Sequence, residues 1–194
     1  MRRRMRRRLT TTLALVAVAF GLGIAGCGNK EEIRTLGETE GVYVDVGELV
    51  YQVQISRILN PNDAEDRAYL RGLPPGERLA PGETWFGVFM RVSNERGRTI
   101  KPASSFRIVD TQENEYEPVV LDPTANPFAY QPSPLRAGEV YPNSESAASG
   151  GPIQGSLVLF KVQFRSLQNR PLELMIDGPL PPPLRESAIV DLDV

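Results

Sequence analysis

The sequence predicts an all-β protein built as an antiparallel β-sandwich of about seven strands. Three observations support this fold class. Apolar and polar residues alternate with a period of two in several segments. Turn signals separate these segments, and the chain contains 17 glycines and 17 prolines. Only one short helical pattern interrupts the strands, so the sequence does not indicate a regular alternation of strands and helices.

The alternation is clearest in the segments that begin at Leu49 and Phe86. In the second of these, Phe86, Val88, Met90 and Val92 share one face, while Gly87, Phe89 and Arg91 occupy the opposite face. This pattern is typical of a strand with one buried side. The predicted strands cover residues 42–46, 49–55, 86–92, 106–108, 116–121, 158–164, 172–176 and 190–194.

One short helix is predicted over residues 64–71. Asp63 precedes it as an N-cap, and Gly72 follows it as a stop signal. The same region offers oxygen ligands for calcium, but their spacing does not match an EF-hand loop. We therefore interpret the acidic cluster as a capped helix start; its members are Asn60, Asn62, Asp63, Glu65 and Asp66.

The N-terminus predicts an export signal over residues 1–26. Six arginines lie between Arg2 and Arg8, and the 12 residues from Leu13 to Ile24 carry no charge. A membrane-spanning helix needs roughly 20 apolar residues, so this run has the length of a signal-peptide core. Arg7 and Arg8 leave open whether export uses the general secretory or the twin-arginine route.

The next residues, Ile24, Ala25, Gly26 and Cys27, resemble a bacterial lipobox. The resemblance implies that Cys27 receives a diacylglyceryl group with palmitate-type chains, and that the peptide bond before Cys27 is cleaved. Two acyl chains anchor a protein stably to a membrane. The alternative is that Cys27 is an ordinary residue of a membrane anchor or buried helix. Since Cys27 is the only cysteine in the chain, an internal disulfide is excluded.

Three regions follow from this interpretation: a cleaved signal peptide (1–26), a lipidated N-terminus with a flexible tether (27–41), and one folded domain (42–194). Cleavage removes six arginines and leaves 16 basic against 24 acidic residues, a net charge of −8. An acidic domain is a poor ligand for nucleic acid, so we expect no nucleic-acid partner. The expected location is the outer, extracytoplasmic face of the cell membrane.

The chain contains no histidine, which makes most catalytic chemistries improbable. With Cys27 lipidated, no thiolate is left for a zinc site or a cysteine nucleophile. We therefore expect no catalytic residue, no metal and no cofactor, and we expect that the protein is not an enzyme. Carboxylate chemistry stays open. The acidic segment 110–117 fits a solvated hairpin tip more simply than a catalytic pair.

Three aromatic residues, Phe128, Tyr130 and Tyr141, lie in the Pro-rich and Ser-rich segment 122–155. They form either an interaction surface or anchors that pin the long loop onto the core. The leading functional hypothesis is a non-catalytic binding or interaction module that acts through this loop on another envelope protein or ligand. The alternatives are a carboxylate-dependent hydrolase of envelope glycans and a structural spacer.

Residues 42–178 contain a set of turn and core positions that recur in a known domain family: Gly47, the turn Leu79 to Glu83, the strand Phe86–Val92, Asn94, Phe106, Val109, Asp110, Tyr116 and Gly155. With these positions the segment resembles the immunoglobulin-like (telokin-like) domains of actinobacterial and other Gram-positive lipoproteins and secreted antigens. In the second of the two family-like turns, at 135–139, Ala137 stands where proline is expected. The resemblance implies an immunoglobulin-like sandwich outside the cytoplasm and no common enzymatic activity.

Overall fold

The computed structural model describes residues 33–193, which form two packed β-sheets. Two short helices, α1 (Ala64–Tyr69) and α2 (Ala147–Gly150), and one 3₁₀ helix (Phe164–Gln168) accompany the sheets. The strands are β1 (Leu36–Gly37), β2 (Tyr43–Val46), β3 (Leu49–Leu59), β4 (Glu83–Ser93), β5 (Ser105–Val109), β6 (Glu115–Tyr116), β7 (Pro118–Val119), β8 (Val140–Tyr141), β9 (Ser156–Gln163), β10 (Leu172–Asp177) and β11 (Ser187–Leu192).

The first sheet has the order β1-β11-β10-β5-β6, and the second has the order β2-β3-β4-β9-β7 with β8 paired to the end of β4. Every pairing of these strands is antiparallel except β1 with β11. Seven of the described strands have four or more residues, in line with the predicted number. The predicted all-β sandwich is confirmed.

The main core lies between the two sheets and is built from the period-two faces of the strands. Phe86, Val88, Met90 and Val92 of β4 are buried there beside the inward residues of β3 and β9. Leu172, Leu174 and Ile176 of β10 are buried on the facing sheet. Because successive side chains of a strand point to opposite faces, each strand supplies this core with every second residue.

A second, smaller core covers the other face of the second sheet. Trp85 and Phe89 of β4 are buried there with Leu157 and Leu159 of β9, under α1 and the segment that contains Leu121. The sequence predicts a half-buried β4 with Gly87, Phe89 and Arg91 on its outer face. In the structure only Arg91 of these three residues is exposed. A period-two pattern cannot reveal that a distant segment folds over the second face.

The predicted helix is confirmed as α1, with Asp63 as its N-cap. The Asp63 carboxylate accepts hydrogen bonds from the N–H groups of Asp66 and Glu65, and these bonds lower its pKa. The Asp66 carboxylate is buried, pairs with Arg57 and accepts the Asn60 N–H. Within residues 33–193, no group of three or more acidic, Cys or His side chains is placed to hold a metal ion.

Several boundaries differ from the sequence-based expectations. Residues 33–41 were predicted as part of the tether, but Leu36–Gly37 pairs with β11 and the Gly41 N–H donates to Val53 O. The predicted strand 116–121 is divided between the two sheets as β6 and β7. Phe164 leaves the strand and begins the 3₁₀ helix. These differences depend on long-range pairing that local patterns do not report.

The final predicted strand pairs as β11, which begins at Ser187 and lies antiparallel to β10. The signal peptide, the lipobox residues Ile24, Ala25 and Gly26, and Cys27 lie outside the described residues. In the described part of the chain, no helix is long and apolar enough to cross a membrane.

Candidate functional site

The segment 122–155 is held against both cores by buried side chains. Asn126 is fully buried, and its amide donates to the carbonyl oxygens of Tyr69 and Arg71. Its own Oδ1 accepts the Phe128 N–H. The Phe128 ring meets the Tyr69 ring edge to face, with 4.9 Å between their centroids. These contacts fix the first half of the segment to α1 and the second core.

Tyr130 and Tyr141 hold the middle of the segment to the main core. The Tyr130 hydroxyl donates to Ala103 O at 2.8 Å, and its ring packs against Phe106 and Tyr141 with centroid distances of 5.1 Å and 5.5 Å. The Tyr141 hydroxyl donates to Ala129 O and accepts the Gln131 N–H. The structure therefore brings Tyr130 and Tyr141 together and places Phe128 in the other cluster.

All three predicted aromatic residues are half-buried, and their contacts are those of loop anchors. Burial raises the pKa of Tyr130 and Tyr141, and it raises the pKa of Tyr51, which accepts the Ala103 N–H, to about 12. These phenols are therefore protonated near neutral pH. They can donate hydrogen bonds and offer ring faces, but they are not poised to take up a proton as a base.

A cavity of about 400 Å³ lies between the loop and the start of β9. We call it the polar cavity. Glu139 is its one charged lining residue, and its carboxylate already accepts the Arg136 N–H at 2.7 Å. The other lining residues are Pro127, Gln131, Ser133, Pro134, Leu135, Val140, Tyr141, Pro142, Asn143, Ser146, Ala148 and Ser156.

Ser156 lies in the wall of the polar cavity and is 1% exposed. Burial raises the pKa of Tyr141, and the nearby Ser156 hydroxyl acts in the opposite direction. Even so, Ser156 Oγ completes no hydrogen bond of normal geometry with any residue in the range 33–193. A buried hydroxyl without a partner is costly, so it indicates a position where a bound group can supply the missing hydrogen bond.

An apolar groove of about 220 Å³ lies on the other side of Tyr130. Phe106, Leu157 and the edge strand β7 form its walls. Val120 borders the groove and is 80% exposed. Tyr130 lines this groove while its contact partner Tyr141 lines the polar cavity, so the aromatic pair separates two surfaces of different polarity.

The acidic segment 110–117 forms the predicted β5–β6 hairpin, but Asp110 is buried and not solvated. Its carboxylate accepts hydrogen bonds from the Gln112 and Asn114 N–H groups and from the Asn114 and Asn169 side chains. Burial raises the pKa of Asp110, and the hydrogen bonds from Asn169 and Asn114 outweigh it, so the net pKa is lowered. Asp110 therefore acts as a structural anion that ties the hairpin tip to Asn169.

Two other carboxylates, Glu48 and Glu186, line a cavity of about 250 Å³ with Arg98 and Lys101. Glu48 accepts a hydrogen bond from Arg98 at 2.6 Å, and Glu186 accepts the Gly47 N–H at 2.8 Å. Each carboxylate is thus already engaged within the chain. Glu48 and Glu186 therefore share the lining of one cavity.

Sequence reasoning found Tyr141 but missed Ser156 and Asn126. Neither residue stands in a recognisable motif, since Ser156 opens a strand and Asn126 lies in a polar loop. The Asn-Pro pair at 126–127 is a turn signal, and it does not report that the asparagine is buried.

Comparisons with known proteins bear on the fold alone. No family model matches the sequence, and no curated protein matches it. The chain is similar to the solved structure of the yjhA protein of Bacillus subtilis at 10% identity, over 80% of this chain and 99% of that one, with a TM-score of 0.52. A weaker likeness, with a TM-score of 0.45 and 10% identity, joins 81% of the chain to 95% of an uncharacterized β-sandwich protein of Clostridium difficile. A third, with a TM-score of 0.44 and 12% identity, joins 79% of the chain to 39% of ycdA, a candidate lipoprotein of B. subtilis. At 10% identity, the likeness to the yjhA protein shows a shared fold alone.

Proposed function

We propose that this chain is a lipid-anchored protein on the outer face of the cell membrane and acts there as a non-catalytic binding module. Its proposed site is the polar cavity under the segment 122–155. Its proposed ligand is a neutral sugar unit of the cell envelope. The proposed anchor is the diacylglyceryl group on Cys27, which follows from the lipobox resemblance of residues 24–27.

The size and charge of the polar cavity support a neutral ligand. Its volume of about 400 Å³ falls within the ~300–1,000 Å³ that is typical of small-molecule sites. No lysine or arginine is among its described lining residues, so an anionic ligand would find no cation there. The Glu139 carboxylate lies 3.9 Å from the Arg136 guanidinium, so the lining carries no excess positive charge.

The kinds of side chain in the cavity support a sugar in particular. Gln131, Asn143 and Ser146 can both donate and accept hydrogen bonds, as sugar hydroxyl groups also do. The Tyr141 ring and the neighbouring prolines offer apolar surface for the C–H face of a sugar ring. The observation that carries the proposal is the buried, unpartnered Ser156 hydroxyl in the wall of this cavity.

A titration of the mature, lipidated protein in detergent tests the ligand class. The probe is the neutral trimer of N-acetylglucosamine, and the comparison is the anionic trimer of galacturonic acid. We expect calorimetric binding of the neutral trimer only. Ser156→Ala should weaken this binding by about 0.5–1.5 kcal/mol, which is up to about tenfold, because one hydrogen bond to the ligand is lost.

Ser105→Ala is the matched control, since Ser105 is an exposed serine of β5 that does not line the cavity. Its binding should equal that of the unsubstituted protein. Ser156→Ala should keep or raise the thermal midpoint, because the deleted hydroxyl has no protein partner. Failure of the neutral trimer to bind, or equal binding by Ser156→Ala, would contradict the proposed site.

The carboxylate-dependent hydrolase is the second candidate, and the shared cavity of Glu48 and Glu186 is the observation that favours it. The same titration separates the two functions. Cleavage of the trimer that is lost in Glu186→Gln would support the hydrolase, whereas recovery of intact trimer supports binding alone.

A further inference from the structure

One end of the sandwich is formed by segments that are far apart in sequence. The β2–β3 turn at Gly47–Glu48 contacts the loop 178–186, where Glu186 accepts the Gly47 N–H. The described chain begins at the same end. Arg34 exchanges hydrogen bonds with Asp45, which lies just before that turn, and Thr35 O accepts the Ile189 N–H. We call this region the anchor-proximal end.

Large apolar side chains are exposed at the anchor-proximal end. Ile33 is 74% exposed, Leu180 is 52% exposed and Leu184 is 69% exposed. Ile33 and Leu184 are each followed by an arginine, Arg34 and Arg185. Arg185 lies 3.6 Å from the Asp177 carboxylate and donates to Leu180 O. Exposed apolar residues beside basic ones are typical of protein surfaces that rest in a membrane interface.

The distance to the lipid anchor is short. Six residue steps separate Cys27 from Ile33, and a fully extended chain of that length spans at most about 20 Å. Residues 33–41 lie against the sheet, so the spacer between Cys27 and the folded domain is shorter than the tether 27–41 that the sequence predicts. Once Cys27 is in the bilayer, the anchor-proximal end is held within this reach of the headgroups.

We infer that the anchor-proximal end docks on the outer leaflet, with Ile33, Leu180 and Leu184 in the interface and Arg34 at the headgroup phosphates. The inference rests on the lipidation of Cys27, which is part of the proposed function. The domain is then oriented on the membrane. We call the opposite end of the sandwich, where Glu83 of β4 pairs with Gln163 of β9, the far end, and it points away from the membrane.

Tryptophan quenching by brominated lipids tests this orientation. The mature lipidated protein is reconstituted in vesicles of brominated phosphatidylcholine and phosphatidylglycerol. Leu184→Trp and Ile33→Trp should each show strong quenching and a blue-shifted emission, because both positions would enter the interface. Native Trp85 lies at the start of β4 near the far end, and it should set a low background.

Phe164→Trp is the matched control, since Phe164 is 55% exposed and its N–H bonds to Gly82 at the far end. The ten residue steps of β3 place this end about 30 Å from the β2–β3 turn. The quenching of Phe164→Trp should equal the Trp85 background. Equal quenching at both ends, or none at positions 33 and 184, would overturn the docking. Mass analysis of the same sample separates the two proposals, because a protein without lipid on Cys27 contradicts the proposed anchor itself.

Discussion

At the scale of single residues, Asp110 shows how a buried carboxylate can serve the fold. Four donor groups surround it, from Gln112, Asn114 and Asn169. Burial alone would raise its pKa, but hydrogen bonds that stabilise the ionised form lower it overall. The carboxylate therefore links the β5–β6 hairpin of the first sheet to Asn169. This asparagine follows the 3₁₀ helix that comes after β9 of the second sheet.

Asp110 should contribute stability that depends on pH in the acid range. Because its folded-state pKa lies below the ordinary value of 3.8, its contribution is present above that value and is lost as pH falls below it. Asp110→Asn should reduce the free energy of unfolding at pH 7 by about 1–3 kcal/mol, because several donors lose a charged acceptor. The loss of stability between pH 4 and pH 2 should be correspondingly smaller in this variant.

Urea unfolding at pH 7 and at acid pH measures both effects. Glu95→Gln is the control, since Glu95 is an exposed carboxylate in the β4–β5 connection. It should resemble the unsubstituted protein at both pH values. An acid dependence that is the same with and without Asp110 would contradict this role.

At the scale of the elements, β4 is buried on both faces along most of its length. Phe86, Val88 and Met90 face the main core, and Trp85 and Phe89 face the second core. Gly87 lies between them on the second face, where an added Cβ would be 3.0 Å from a Leu157 methyl and 3.1 Å from a Leu59 methyl. The glycine therefore allows side chains of the neighbouring strands to close over β4.

Phe89→Ala should reduce the free energy of unfolding by about 3–5 kcal/mol, because it opens a cavity in the second core. Arg91→Ala, two residues further on the same strand face, should change it by less than about 0.5 kcal/mol. Denaturant unfolding of the two variants makes the comparison. Similar small effects at both positions would mean that this face of β4 is solvated, as the alternation alone predicts.

At the scale of the whole molecule, the sandwich is an acidic domain whose N-terminal strand pairs with its C-terminal strand through β1 and β11. This pairing brings the beginning of the described chain to the loop 178–186 and the β2–β3 turn. The proposed lipid anchor would thus meet the domain at one defined end. The polar cavity and the proposed membrane contact then belong to the same compact unit.

Cys27→Ser should abolish membrane attachment or leave the signal peptide uncleaved, because serine offers no thiol for lipid transfer. Cell fractionation and intact-mass measurement report both outcomes. Gly28→Ser, the neighbouring control, should retain the attachment and the mass increment of the lipid. Unchanged attachment and mass in Cys27→Ser would contradict the lipidation hypothesis.

Several features of this protein follow from local sequence alone. The period-two segments determine the strands and their inward faces, since the geometry of a strand alternates its side chains. Asp63 and the residues after it determine the start of α1, because capping involves neighbouring backbone groups. The lipobox resemblance is also local. Fold class, helix start and the expected anchor were therefore accessible without coordinates.

Other features were decided only by tertiary structure. The second core, the contact of Tyr130 with Tyr141, the unpartnered hydroxyl of Ser156 and the composition of the anchor-proximal end all join residues that are distant in sequence. No local period or spacing encodes which loop covers which strand face, since that outcome depends on the packing of the complete chain. The residues we propose for ligand binding and for membrane docking belong to this second group.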